Sequence, residues 1–146
     1  MLDSSTDLKS MLSDPSLLQT QAFINNQWVD GENGATFAVS NPARGDVIAQ
    51  VADLSRADLA RAIDGAEAAQ KKWAAQTAKE RCNILRNWYN LMMEHQSDLA
   101  MILTAEMGKP LAEAMGEIAY GASFVEFFAE EAKRNYGETI PGHQAD

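Results

Sequence analysis

The spacing of hydrophobic and polar positions changes once along the chain. Between Ala22 and Ala52 the apolar runs are short and separated by turn residues. Ala22-Phe23-Ile24 and Gln27-Trp28-Val29 flank Asn25-Asn26, while Thr36 to Ser40 and Val47 to Val51 flank Asn41-Pro42-Ala43-Arg44-Gly45-Asp46. Asp30-Gly31-Glu32-Asn33-Gly34 separates the two pairs. Asp-Gly and Asn-Gly steps provide the positive φ that tight turns require, so this region is predicted to be a small antiparallel meander.

Beyond Ser55 the period becomes helical. Ser55 is a good N-cap, with Asp58 three residues on, and Leu59, Ile63, Ala66, Ala69 and Trp73 fall on one helix face. Thr77-Ala78-Lys79-Glu80 is a capping box ahead of a helix carrying Leu85, Trp88, Tyr89 and Met92. Ser97 is predicted to cap a short helix through Leu103, ended by Gly108. Pro110 suits the first turn of a last helix with the stripe Leu111, Met115, Ile118, Ala122, Val125, Ala129 and Ala132. Gly137 is predicted to close that helix and Pro141 to prevent its resumption. Ahead of all this, residues 1–21 read as a polar leader with at most a short helical turn around Leu8 to Leu12. The chain thus divides into this leader and one folded unit over 22–146, a meander followed by about four helices. The Val51 to Ser55 junction is too short for a domain linker, and there is no internal repeat or low-complexity segment.

Composition narrows the class. At 146 residues, 46% hydrophobic and 23% charged, the chain fits one ordinary globular domain. A net charge of −9 repels nucleic acid and anionic membranes, so neither is expected as a partner. The single cysteine excludes an intramolecular disulfide and favours a reducing compartment. No run approaches the ~18 apolar residues of a membrane span, and the start lacks a basic region and apolar core, so the expected location is the cytoplasm.

Candidate chemistry is sparse. Gly108-Lys109-Pro110 holds a fragment of the phosphate-loop pattern, but Pro stands where Ser or Thr must bind magnesium, and Leu103 holds the place of the first glycine. It reads as a helix end followed by a helix start. Cys82, flanked by Arg81 and Arg86, sits inside an amphipathic helix and reads as a small core residue rather than a nucleophile. His95 and His143 are isolated and make no metal site. Glu126, Glu130 and Glu131 with Lys133 and Arg134 read as a solvated face of i,i+3 and i,i+4 pairs. No Gly-x-Gly-x-x-Gly fingerprint occurs. Tyr120, Phe124, Phe127 and Phe128 widen the apolar surface of the last helix beyond half its circumference, which predicts a larger body or a partner against it.

The order of these segments resembles the N-terminal part of the NAD(P)-dependent aldehyde dehydrogenases. Phe23-Ile24-Asn25-Asn26-Gln27-Trp28 is similar to the family's opening strand, and Asn41-Pro42-Ala43-Arg44-Gly45-Asp46-Val47-Ile48 to its Asn-Pro-x-x-Gly turn. Trp73, Glu80-Arg81 and Glu106-Met107-Gly108-Lys109-Pro110 match its helical segment, and Tyr136-Gly137-Glu138-Thr139-Ile140-Pro141 the approach to its oligomerisation hairpin. Within the family, Ile84 to Gln96, Phe127 to Arg134 and Pro141 to Asp146 most resemble the succinate-semialdehyde branch, with a glutarate-semialdehyde enzyme as the near alternative. The resemblance implies an α/β fold of which this chain is the N-terminal part of the dinucleotide-binding domain. It implies NAD or NADP as cofactor, a homo-oligomeric parent, and oxidation through a cysteine thiohemiacetal with a glutamate activating water. In the family the catalytic cysteine, glutamate, oxyanion asparagine and cofactor loops lie downstream, and Cys82 does not match the catalytic position. The expectation is therefore a fragment without catalytic, cofactor or metal residues of its own. By the same analogy Tyr120 and Phe124 are candidate walls of the aldehyde tunnel, and Val39 and Glu106 lie where family members can hold a monovalent cation. The alternative from another class is a non-catalytic helical interaction module binding through Phe124 to Phe128.

Overall fold

The computed structural model describes residues 7–144. The first six residues of the leader and the closing Ala145-Asp146 lie outside the described residues. Two hairpins come first. Strands β1 (Ala22–Ile24) and β2 (Gln27–Val29) pair antiparallel with Phe23 opposite Trp28. Asn25 and Asn26 take φ of 51° and 65°, the mirror-image turn whose twist suits a two-residue hairpin. Strands β3 (Thr36–Ser40) and β4 (Val47–Ala52) form the second ladder, with a register irregularity between Val39 and Ser40. Each hairpin is its own two-stranded sheet, so the predicted strands form two ladders rather than one continuous one. The loop between the ladders turns toward the following helix: the Glu32 amide donates to Asp58 at 3.4 Å, and Gly31 lies so close to the Asp53 carbonyl that a Cβ would stand 2.9 Å from it.

Four long helices follow: α2 (Arg56–Ala75), α3 (Ala78–Glu94), α4 (Gln96–Met107) and α5 (Leu111–Glu131). The predicted Ser55 cap and the predicted Thr77-Glu80 capping box both form, and the Ser55 cap also closes as a capping box. The Asp58 amide donates to the Ser55 hydroxyl while the Ser55 amide donates to the Asp58 carboxylate, and Thr77 and Glu80 repeat the arrangement. Helices α3, α4 and α5 pack together around buried Cys82, Ala100, Ala114, Ala122 and Ala129. On α5 the three alanines recur every seven or eight residues, and their small side chains let the neighbouring helices approach closely.

Two boundaries differ from expectation, and the leader holds more structure than expected. Helix α4 starts at Gln96 rather than behind a Ser97 cap, because only His95 interrupts the run from α3 and no side chain caps the break. The Gln96 side chain instead donates to the Met115 carbonyl at 2.9 Å and pins the start of α4 to α5. Helix α5 stops at Glu131, well before Gly137, because Lys133 and Arg134 donate to the carbonyls three residues back and unwind the last turn. The leader is more structured than a polar tail. It holds the expected short helical turn, α1 (Leu8–Met11), and beyond it a 3₁₀ turn (Pro15–Leu17), and it buries Leu12 and Leu18. Among the described residues no helix is long and apolar enough to cross a membrane.

Gly108 ends α4 at φ +79°, and a Cβ there would stand 3.1 Å from the Pro42 side chain. Gly108→Ala should therefore destabilise by about 1–2 kcal/mol, combining the left-handed penalty with the contact. Urea denaturation checks this; an unchanged midpoint would show that the turn relaxes freely.

The aromatic face of the last helix

Helix α5 presents two surfaces. One carries Ala114, Ala122 and Ala129 into the helical core. The other carries Tyr120, Phe124, Phe127 and Phe128, which recur at helical spacing and stay about half exposed or more, Tyr120 at 65% and Phe128 at 60%. Tyr120 and Phe124 meet edge to face with ring centroids 4.9 Å apart, and Phe127 and Phe128 likewise at 5.3 Å. Edge-to-face ring pairs of this geometry are favourable by about 0.5–1.5 kcal/mol beyond the area they bury. Among the described residues, none covers these four rings enough to bury them.

Charged groups fix how α5 lies on α3. Arg86 of α3 donates to Glu126 at 2.5 Å and to Glu130, and its guanidinium carbon stands 5.4 Å from the centre of the Tyr89 ring. The hydrogen bond to Glu126 is the main cause that raises the Arg86 pKa above its ordinary value; partial burial opposes it, and Glu130 adds to it. Two of the three glutamates expected on a solvated face therefore reach across to another helix. Their spacing of four residues places both over the rim of α5 that faces α3. Only Glu131 keeps the expected local pair, to Arg134 at 2.8 Å. Lys109 pairs with Glu117 across the start of α5, consistent with a helix start rather than a phosphate loop.

The remaining candidates lie apart from this face. Cys82 is buried on α3. His95 sits at the α3–α4 break and His143 is exposed beyond α5. Val39 is half-buried on β3, and Glu106 is exposed in the last turn of α4. Among the described residues no group of three or more His, Cys, Asp or Glu is placed to hold a metal ion.

A nicotinamide dinucleotide brings a pyrophosphate, which seats best on free amides at a helix N-terminus. The four long helices each carry a carboxylate in the first turn: Asp58, Glu80, Asp98 and Glu113. Asp58 is fully buried, and its carboxyl is held below the usual range by the Ser55 amide and then the Ser55 hydroxyl. Glu80 is lowered in the same way by the Thr77 amide and hydroxyl. Negative charge thus occupies the positions where an anion would bind, and the described residues do not fit the cofactor's phosphates. Sequence reasoning found the Ser55 cap and the Thr77-Glu80 capping box but missed the roles of Arg86 and Asp98, whose partners lie 40 or more residues away.

The aldehyde dehydrogenase family model matches residues 28–146. The chain is 58% identical over 135 residues to an NADP-dependent succinate-semialdehyde dehydrogenase of Escherichia coli and 57% identical to a glutarate-semialdehyde dehydrogenase of Pseudomonas putida. Both alignments cover 92% of this chain and 28% of the relative, so the chain spans about a quarter of the length of these curated relatives. Among solved structures, an NADP-dependent enzyme of E. coli superposes with TM-score 0.89 at 58% identity, over 92% of this chain and 28% of that one. A succinate-semialdehyde dehydrogenase of Burkholderia pseudomallei superposes with TM-score 0.88 at 51% identity, over 91% of this chain and 28% of that one. These neighbours share the fold over more than nine-tenths of this chain, and the chain belongs to the aldehyde dehydrogenase family.

Proposed function

We propose that this chain is the N-terminal part of a longer dehydrogenase that oxidises a short semialdehyde bearing a distal carboxylate, with NAD or NADP as the hydride acceptor. The observation that carries this reading is the near-equal identity to relatives named for succinate semialdehyde and glutarate semialdehyde, at 58% and 57%. A third relative, named for 3-sulfolactaldehyde, stands at 56% and also handles an anionic aldehyde. What these substrates share is an aldehyde and a distal negative charge, so that class is the reading, with succinate semialdehyde as its first member. Residues of this chain would supply scaffold: the α3–α5 clasp would hold the aromatic face, and Tyr120 and Phe124 would line part of the aldehyde's path. The nucleophile, the water-activating base and the cofactor contacts would belong to residues outside this chain. A homo-oligomer in the cytoplasm is the setting proposed for that longer protein.

The test uses the longer protein encoded by the full reading frame. Formation of reduced nicotinamide is followed with succinate semialdehyde, glutarate semialdehyde and an uncharged aldehyde of equal length. A kcat/KM at least about tenfold higher for the charged substrates is expected, the worth of one charge-assisted contact. Equal or higher values for the uncharged aldehyde would overturn the substrate class. A second reading, an interaction module, is favoured by the exposed rings at Phe124, Phe127 and Phe128 and predicts a stable complex with no dehydrogenase activity in the longer protein.

A further inference from the structure

We infer that residues 7–20 form a strap that opens as one unit and is latched to α4 by the carboxylate of Asp98. The Ser13 amide donates to one Asp98 oxygen at 3.0 Å and the Asp14 amide to the other at 2.8 Å. Asp98 is only 4% exposed, so this pair of contacts replaces the water the carboxylate gives up. The partners lie 85 and 84 residues apart in sequence, and no helix or sheet requires their pairing. At its far end the strap is fastened once more: the Ala52 amide of β4 donates to the Thr20 carbonyl at 2.8 Å. Leu12, just ahead of the latch, and Leu18, between the latch and Thr20, are buried. Within the strap, Asp7 accepts from the Lys9 amide, and Asp14 accepts from the Ser16 amide and hydroxyl. The segment is thus ordered by its own turns and docked through few contacts, which is the make-up of a cooperative unit that opens below the global unfolding energy. It also ties the helical layer at α4 to the second hairpin at β4.

The latch depends on charge. The groups facing Asp98 are the two strap amides, His95 at the head of α4 and the Asp14 carboxylate. The two amides hold the Asp98 carboxyl below its usual range; burial opposes them, His95 adds a smaller lowering, and Asp14 a smaller rise. Because the folded value lies below the unfolded one, the latch is complete above about pH 4 and is lost as pH falls through the lower folded value.

Residue-resolved amide exchange on the full chain at neutral pH tests the inference. In Asp98→Asn the amides of Ser13, Asp14 and Ala52 should all exchange faster by at least about tenfold, the worth of one charged hydrogen bond, while α3 and α5 keep their rates. Faster exchange at Ser13 and Asp14 with Ala52 unchanged would make Asp98 a local cap and overturn the strap. A uniform rise across the chain would make it a general stabiliser and overturn the latch. The unsubstituted chain at low urea supplies a second reading: these three amides should share one opening energy below that of α3 and α5, and three separate energies or the global value would overturn the proposal. Glu80→Gln, at the cap of α3, should leave all three amides unaffected.

Discussion

Ala122→Leu is expected to be the most destabilising single substitution in the helical core. Ala122 is fully buried at the middle of the α5 seam, between Ala114 and Ala129, which are equally buried. Near one end of that seam, Gln96 of α4 holds the Met115 carbonyl; near the other, Arg86 of α3 holds Glu126 and Glu130. With both ends tied, the helices have little freedom to separate and admit three more carbons. Overpacking of a tight site costs about 1–3 kcal/mol, and this one should reach the upper end. For a chain of this size that corresponds to a fall in Tm of roughly 5–12 °C. Ala66→Leu, on the exposed surface of α2, is the matched control and should leave Tm within about 2 °C. Equal effects at the two positions would mean that the α5 seam is loosely packed.

The 146-residue chain alone is expected to reduce neither NAD nor NADP with any aldehyde, against full activity for the longer protein. Its one thiol, Cys82, is buried within α3, and no histidine lies beside it in the helix. A carboxylate opens each long helix where a pyrophosphate would need free amides. The chain thus lacks both an accessible nucleophile and an anion seat. The assay is reduced-nicotinamide absorbance on the purified chain, run beside Cys82→Ser. Turnover that vanishes in Cys82→Ser would place the nucleophile on α3 and sink the scaffold reading. Turnover that survives it would equally refute the prediction and point to a base-only mechanism.

What could be read before the structure was local. Ser55 with Asp58 and Thr77 with Glu80 are three apart, and a cap needs nothing further away. The Asn25-Asn26 turn likewise announces its hairpin by chemistry confined to two residues. Periodicity also identified the α2 face of Leu59 and Ile63, yet these side chains are 56% and 59% exposed. Spacing marks a face as apolar and carries no information about what covers it. The same holds for Tyr120 and Phe124, which lie on one exposed face as their spacing requires, with the tunnel remaining part of the proposal. Arg86 and Asp98 escaped because a charged residue on a helix looks solvated until its distant partner is known. The leader's docking escaped for a related reason: Leu12 and Leu18 are scattered among several apolar residues with no clear period, and nothing in the sequence says that these two are buried.

The exposed stripes bear on how the proposed longer protein is made. Leu59 and Ile63 on α2, Ile84, Trp88 and Leu91 on α3, and the four rings of α5 point outward from this segment. Translation at about 5–20 residues per second would leave these stripes open to solvent for tens of seconds while the remaining length of the proposed protein emerged. During that interval the nascent chain would be exposed to aggregation. The strength of the α3–α5 clasp then matters at birth as well as at work, because it keeps the seam shut while the outer surfaces wait for their cover.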